Sequence, residues 1–559
     1  MFVTVIINLV YKRKQEEDTG SMKKALLVLL VLLVSTSILI GCGKTSTTST
    51  STTTTTSVTT TPSTTKTTTP TTTTTTTTQV NKYGGTLKII IIAGPQNPGG
   101  LPAEVFGPDA TSFQFLYDPL LRGDNKGGVV PWLAEAYKLA DDRLSVTFTL
   151  RKGVKFQDGT DLNATAAKWN IDNYIKSPYN QYWTTSEIIN DYTIKVNFKM
   201  WVNTILSSFT GAGAWMASPA AFEKNGADVM RNNPVGTGPF KFESFQRDVG
   251  YKVVRNANYW QAGKPYLDKI EIAYIADPMT QKAAMEAGDY HMLQIEPSKT
   301  AKDLESLGLK TYFQLVTVYS LMPDTAHADS PFAKQKVREA VEYALDREAF
   351  AKAFSNGYWT AQYQIVFPNS PAFNPNFTLA RKHDVAKAKQ LLTEAGYPTG
   401  FTTTILVNPS IIDRNIAVAL QSNLADAGIT VELSFPANMG KFIVDSNSLN
   451  NVLVIQPVMG SSNYNATWMF FLGPNAMWNK NWLPSPEFIA LKDVSTTAAT
   501  ADPVLIRAAT DQLSKEASVI PFMLAGAGWV MQPVLMDAGF GNMASSDVFR
   551  SEDAWLSKK

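Results

Sequence analysis

The segment Ile416-Ala-Val-Ala-Leu-Gln-Ser-Asn-Leu-Ala-Asp-Ala-Gly-Ile-Thr-Val-Glu-Leu433 decides the fold class. Apolar residues recur at helical spacing as far as Ala427, Gly428 offers the left-handed residue that ends a helix, and Ile429 to Leu433 reads as a strand. Helix, glycine, strand is the repeating unit of a wound α/β lobe. The same pattern lies upstream: Asp384 to Ala395 is amphipathic and stops at Gly396, and Gln335 to Asn356 reads as one helix with Val337, Ala340, Val341, Ala344 and Leu345 on a single face. Nearer the N-terminus, Thr86 to Ala93 is short, β-branched and halted by Gly94-Pro95, which fits a buried strand. Strand-like runs follow at Ser145 to Leu150, Thr193 to Phe198, Tyr251 to Arg255 and Lys269 to Ile275, with helical stretches at Ala164 to Ile175 and Pro278 to Ala287 between them. With 559 residues, 44% of them hydrophobic, the chain has material for more than one lobe.

Ahead of this part stand a leader and a tether. Met22-Lys23-Lys24 followed by the apolar run Ala25 to Ile40 reads as an export signal, the run being short against the ~20 residues of a membrane span. Leu39-Ile40-Gly41-Cys42 resembles a bacterial lipobox, and Cys42 is the chain's one cysteine, so a lipidated N-terminus at Cys42 is expected. Residues 1–21, charged at Lys12, Arg13, Lys14, Glu16, Glu17 and Asp18, read as an upstream start-site artefact and 22–41 as the signal peptide. Thr45 to Thr78 is almost wholly Thr and Ser, with no apolar face to offset the entropy of ordering, so 42–82 is a tether.

Composition excludes several functions. Lys+Arg at 50 against Asp+Glu at 48 leaves no basic field, so no nucleic acid is expected. One cysteine and three scattered histidines, His291, His327 and His383, supply no metal site, and no cofactor is expected. Gly236-Thr237-Gly238-Pro239 has proline where a phosphate loop needs helix amides, so it reads as a tight turn. No nucleophile elbow or zinc-helix motif is present, and an enzyme is not indicated.

Several segments in series then resemble the family 5 extracellular solute-binding proteins, the oligopeptide-, dipeptide- and nickel-binding components of ABC importers. They are Leu150-Arg-Lys-Gly-Val-Lys-Phe-Gln-Asp-Gly159, Leu162-Asn-Ala-Thr-Ala-Ala-Lys-Trp169, Asn233-Pro-Val-Gly-Thr-Gly-Pro-Phe240, Arg255-Asn-Ala-Asn-Tyr-Trp260, Lys264-Pro-Tyr-Leu-Asp-Lys-Ile270 and Leu424-Ala-Asp-Ala-Gly-Ile429. The resemblance implies an α/β, two-lobed, periplasmic-binding-protein-like class II fold with an extra subdomain in the first lobe. Lobe I is expected at 83–315 (subdomain about 120–231) and again at 503–559, with lobe II at 316–502.

In peptide-binding members a segment late in lobe II runs beside the ligand, and an aspartate in it pairs with the peptide amine. The matching segment here is Val458-Met459-Gly460-Ser461-Ser462-Asn463-Tyr464, and the aspartate position falls on Ser462. The resemblance thus names Val458, Met459, Gly460, Ser461, Ser462 and Tyr464 as ligand-binding; Arg414 is a candidate for a ligand carboxylate, or a surface arginine paired with Asp413. Trp215, Tyr358, Trp359, Tyr363 and Trp468 are candidate cleft walls, each otherwise core or surface, and Tyr464 is the aromatic placed at the ligand. Without a carboxylate at Ser462, a ligand with an uncharged end is expected.

The implied function is a monomeric receptor, anchored by lipid to the extracytoplasmic face of the cell membrane, that hands a peptide or small polar solute to an ABC permease and ATPase. A receptor of the same fold for signalling or chaperone-like capture, and a secreted hydrolase, are the alternatives. Replacing Cys42 with Ser is expected to abolish membrane association and leave the precursor mass, as fractionation and intact-mass measurement will show.

Overall fold

The computed structural model describes residues 81–92, 94–95, 102–104, 110–124, 128–177, 180–296, 298–408, 412–460, 464–465, 467–468, 480–539 and 549–557. Cys42, Ser461 and Ser462 lie outside the described residues. The chain divides into Met1–Asn81 and Lys82–Lys559, and the fold is that of the second unit.

The strands that build it are β1 (Thr86–Ile91), β2 (Ala134–Leu139), β3 (Ser145–Leu150), β4 (Trp183–Asn190), β5 (Thr193–Phe198), β6 (Phe240–Gln246), β7 (Gly250–Arg255), β8 (Lys269–Tyr274), β9 (Met292–Ile295), β10 (Lys310–Pro323), β11 (Phe401–Leu406), β12 (Ile429–Ser434), β13 (Val452–Met459) and β14 (Ile520–Met531). The helices that matter for the site are α1 (Ala164–Lys176), α2 (Lys299–Ser306), α3 (Gln335–Ala344), α4 (Arg347–Phe354), α5 (Val385–Glu394), α6 (Arg414–Asp426), α7 (Pro486–Thr497) and α8 (Pro503–Glu516).

One large sheet runs β12-β11-β13-β10-β14-β9-β1-β8-β7-β6. Its two halves are the lobes, and β10 and β14 belong to both. In lobe I, β1 lies parallel to β8 and β9. In lobe II, β11 lies parallel to β12 and β13. The helix–glycine–strand reading of the opening segment is realised by α6, Gly428 at φ 95° and β12, and Gly396 takes the same left-handed conformation after α5 at φ 91°.

Side chains alternate along β10. Tyr319 and Leu321 face a core built with α3, α5 and α6, while Val318 and Met322 face one built with α7 and α8. Ile506, Ala509 and Leu513 of α8 pack with Val318, Val454 and Leu524, so α8 belongs with lobe II and not with lobe I, and the chain re-enters lobe I within β14 instead of at 503. The expected single helix over Gln335 to Asn356 is two, α3 and α4: Leu345 is extended and fully buried, and the Asp346 carboxylate accepts from the Ala349 N–H as the cap of α4.

The subdomain is a four-stranded antiparallel sheet, β2-β3-β5-β4, packed on α1 around Val146, Phe148, Ile194 and Ile171. Asp118 fastens it to lobe I. Its buried carboxylate accepts from Trp132 Nε1 at 2.7 Å, Trp260 Nε1 at 3.0 Å and the Tyr259 hydroxyl at 3.2 Å, and its backbone N–H donates to Thr237 Oγ1 at 3.0 Å. This explains two of the conspicuous sequence blocks. Tyr259-Trp260 supplies the donors, and the glycines flanking Thr237 permit close approach, since a Cβ on Gly236 would sit 2.2 Å from the Leu116 carbonyl oxygen. Asp118→Ala leaves three donors unpaired in a dry site, and thermal unfolding is expected to show a loss of about 3–5 kcal/mol.

Candidate functional site

The strand register locates the cleft. In lobe I the carboxyl end of β9, Ile295, lies opposite Gly528 of β14. In lobe II the carboxyl end of β13, Met459, lies opposite Thr317 of β10, which itself lies opposite Ala525 of β14. Only Gly526 and Ala527 therefore separate the two carboxyl edges along β14, and there the pairing of β10 with β14 shifts, between Gln314 and Thr317. In wound sheets the ligand crevice lies beyond the carboxyl ends of parallel strands. Here two such crevices open onto the same short stretch.

Charged side chains reach this place from both lobes. Glu296 follows β9, and Asp413 caps α6 by accepting from the Asn415 N–H at 2.8 Å. Glu296 is solvent-exposed, yet the protein around it, and secondarily the Asp413 charge, push its pKa up to about 7. Tyr319 stands close enough to feel both carboxylates, and Trp359 packs against it with ring centroids 6.2 Å apart. Arg414 is exposed and holds its guanidinium 3.9 Å over the Phe435 ring, just past the carboxyl end of β12; Asp413 is occupied with its cap.

The other expected site residues are distributed differently. Val458 and Tyr464 are fully buried in the lobe II core, where the Tyr464 hydroxyl donates to the Ile365 carbonyl at 2.5 Å and the ring packs against Phe367 and Trp468. Tyr464 is thus a core residue and presents no ring face to a ligand. Gly460 is pressed onto Phe367, 2.1 Å from where a Cβ would be, so it gives backbone and nothing more. Met459 is exposed at the carboxyl end of β13, opposite Thr317. Trp215 is core: it stacks on Tyr117 at 5.6 Å, beside the subdomain. Tyr358 donates to Glu305, Tyr363 lies under Arg347, and Trp468 is fully enclosed. Glu296 was missed because nothing local marks it, whereas Asp413 stands where an N-cap is read from sequence.

A separate depression of about 480 Å³, lined by Lys82, Tyr266, Met531, Leu535 and Arg550 among others, sits at the lobe I end of β14, away from the cleft. Among the described residues no cluster of His, Cys, Asp and Glu is arranged to hold a metal ion, and no helix is long and apolar enough to cross a membrane.

Comparison with known proteins decides the assignment. Residues 128–475, more than half of the chain, match the model of the bacterial extracellular solute-binding proteins, family 5 (Middle). The chain belongs to that family. It is 32% identical over 435 residues to the glutathione-binding protein GsiB of Salmonella choleraesuis, covering 73% of this chain and 83% of the relative. Among solved structures, the periplasmic binding protein DppA of Helicobacter pylori with peptide STSA superposes with a TM-score of 0.73 at 22% identity, covering 86% of this chain and 99% of that one. The oligopeptide-binding protein AppA of Bacillus subtilis with a nonapeptide gives 0.71 at 21%, covering 86% and 100%. The fold is therefore the two-lobed one of these proteins. The family 5 chain is an extracytoplasmic binding component that works with an ABC permease on peptides or small solutes, and it is not an enzyme.

Glu296 couples closure to pH. When the lobes part, Glu296 leaves the protein that surrounds it and the nearby Asp413 charge, and its pKa falls toward the ordinary ~4.3, so the closed form holds the proton more tightly. Closure is then favoured at low pH and loses that support as pH rises through about 7. Solution scattering of the ligand-free protein is expected to show a larger radius of gyration at alkaline pH than at mildly acidic pH, and Glu296→Gln is expected to flatten the response.

Proposed function

We propose that the solute is zwitterionic, a short peptide or peptide-like compound whose ammonium lodges between Glu296 and Asp413 and whose carboxylate meets Arg414. The observation that carries this is the convergence of Glu296 from lobe I and Asp413 from lobe II on one place. A Glu296 carboxylate whose charging is opposed first by burial and then by the nearby Asp413 is relieved by a cation beside it, and that relief exists only when the lobes close. The expectation of an uncharged-ended ligand rested on Ser462 as the only amine partner; carboxylates from elsewhere now supply the compensation a desolvated ammonium requires. The glutathione named for the Salmonella relative and the peptides held by the two structural neighbours are zwitterions of this class.

In the cell the receptor is a monomer, tethered through lipid on Cys42 and the Thr/Ser segment, so that the two lobes reach the permease from a membrane anchor. Met459 and Gly460 border the ligand at the end of β13, the family resemblance adds Ser461 and Ser462 to the ligand-binding stretch, and Val458 and Tyr464 act from the core.

Calorimetry with the tetrapeptide Ser-Thr-Ser-Ala tests the reading. N-acetylation is expected to weaken binding by about tenfold or more, and Glu296→Gln to weaken the free-amine peptide while leaving the acetylated one unchanged. Equal affinity for the free and acetylated peptides overturns it.

A further inference from the structure

A second meeting of the lobes lies on the α7–α8 side of the sheet, in uncharged groups. The loop that precedes Ile205 of the subdomain reaches the lobe II segment between α7 and α8. There the Asn203 N–H donates to the Thr496 carbonyl at 2.8 Å, Asn203 Nδ2 donates to the Ser495 carbonyl at 2.8 Å and the Thr500 carbonyl at 3.3 Å, and Trp201 Nε1 donates to the Ala498 carbonyl at 2.9 Å. Asn465 completes it. Its Nδ2 donates to Asn203 Oδ1 at 3.0 Å and to the Ser495 carbonyl at 3.2 Å, and its Oδ1 accepts from Ser495 Oγ at 2.8 Å. Asn465 and Ser495 are fully buried and Thr496 nearly so.

We infer that this asparagine cluster is a clasp that holds the two lobes closed. Two features point there. Each side is anchored in its own core, Val202 and Ile205 in the subdomain and Phe488 and Leu491 in lobe II, so the bonds join two rigid bodies. Every bond that crosses has its donor or acceptor on a main chain or an amide, so separation of the lobes exposes them to water at little cost and closure regains them; an ion pair would instead carry a desolvation penalty. The clasp does not rest on the proposed ligand reading, and the contact can be tested with no ligand.

Distance measurement between spin labels on Lys224→Cys, in the subdomain, and Lys389→Cys, on α5 of lobe II, is the test, made on the ligand-free full chain. Asn203→Asp keeps the shape but replaces the donor to the Ser495 and Thr500 carbonyls with a carboxylate, and Trp201→Phe keeps a ring but deletes the donor to Ala498. The closed-to-open ratio is expected to fall roughly tenfold in Asn203→Asp and several-fold in Trp201→Phe, with unfolding temperature scarcely altered. A merely space-filling contact would leave the isosteric Asn203→Asp at the unaltered ratio. Unchanged distance distributions in both variants overturn the clasp, whatever the peptide calorimetry shows.

Discussion

The whole architecture depends on how closely β10 and β14 approach where they pass between the lobes. A Cβ on Gly528 would lie 2.0 Å from the Tyr312 carbonyl oxygen, and one on Gly526 would lie 2.4 Å from that of Gln314. With no side chain at either place, the two strands stay paired up to the register shift and resume pairing beyond it. Everything about the site follows from this seam. Because β9 ends against Gly528 and β13 ends beside Thr317, the crevices of both wound half-sheets open at the same point. A shift of pairing there is also the natural place to bend, since the local ladder is already broken.

Away from the seam, the lobes are stiffened by buried polar groups whose partners are complete. Arg347, fully enclosed, donates to the Pro521, Glu342 and Arg381 carbonyls at 2.8, 2.9 and 3.1 Å, and so ties α4 to β14. The Glu342 carboxylate, held above its ordinary range by burial, accepts from Arg381 at 2.6 Å. Such groups contribute little net energy, but leaving any one unpaired is costly, which favours a single arrangement of α3, α4 and β14. Asp118 serves the subdomain in the same way. Rigid bodies on either side of one flexible seam are what hinge closure requires.

Much of this was legible in the sequence, and the reasons for what was not are physical. The helix–glycine–strand unit around Gly428 is a local pattern, so periodicity and a left-handed glycine suffice to read it. The tight turn at Gly236 and Gly238 was readable from the proline that follows, although its cause, the backbone of Leu116 pressed against it, comes from more than a hundred residues away. The break at Leu345 was hidden because that residue stays on the apolar face of the periodic pattern while leaving the helix. The site fared worst. Tyr464 looks like a ligand-stacking residue until its hydroxyl is seen bonded to Ile365, and Trp215 likewise until it is seen stacked on Tyr117. Glu296 and Asp413 are separated by more than a hundred positions, and no linear pattern connects two carboxylates that meet only through sheet order.

Opposed terms set the balance between open and closed. Around Glu296, closure surrounds a carboxylate with protein and brings it near Asp413, and it loses support as pH rises through about 7. Between Trp201, Asn203 and the α7–α8 segment, closure forms several hydrogen bonds, each worth about 0.5–1.5 kcal/mol net. The two terms act in opposite directions on the same equilibrium. A solute shifts this equilibrium by no more than its preference for the closed form. A cation between the carboxylates converts the opposing term into a favourable one and leaves the amide clasp untouched. In the proposed reading the sign of the charge at the seam selects the solute, while the neutral bonds on the other face of the sheet hold whatever has been selected.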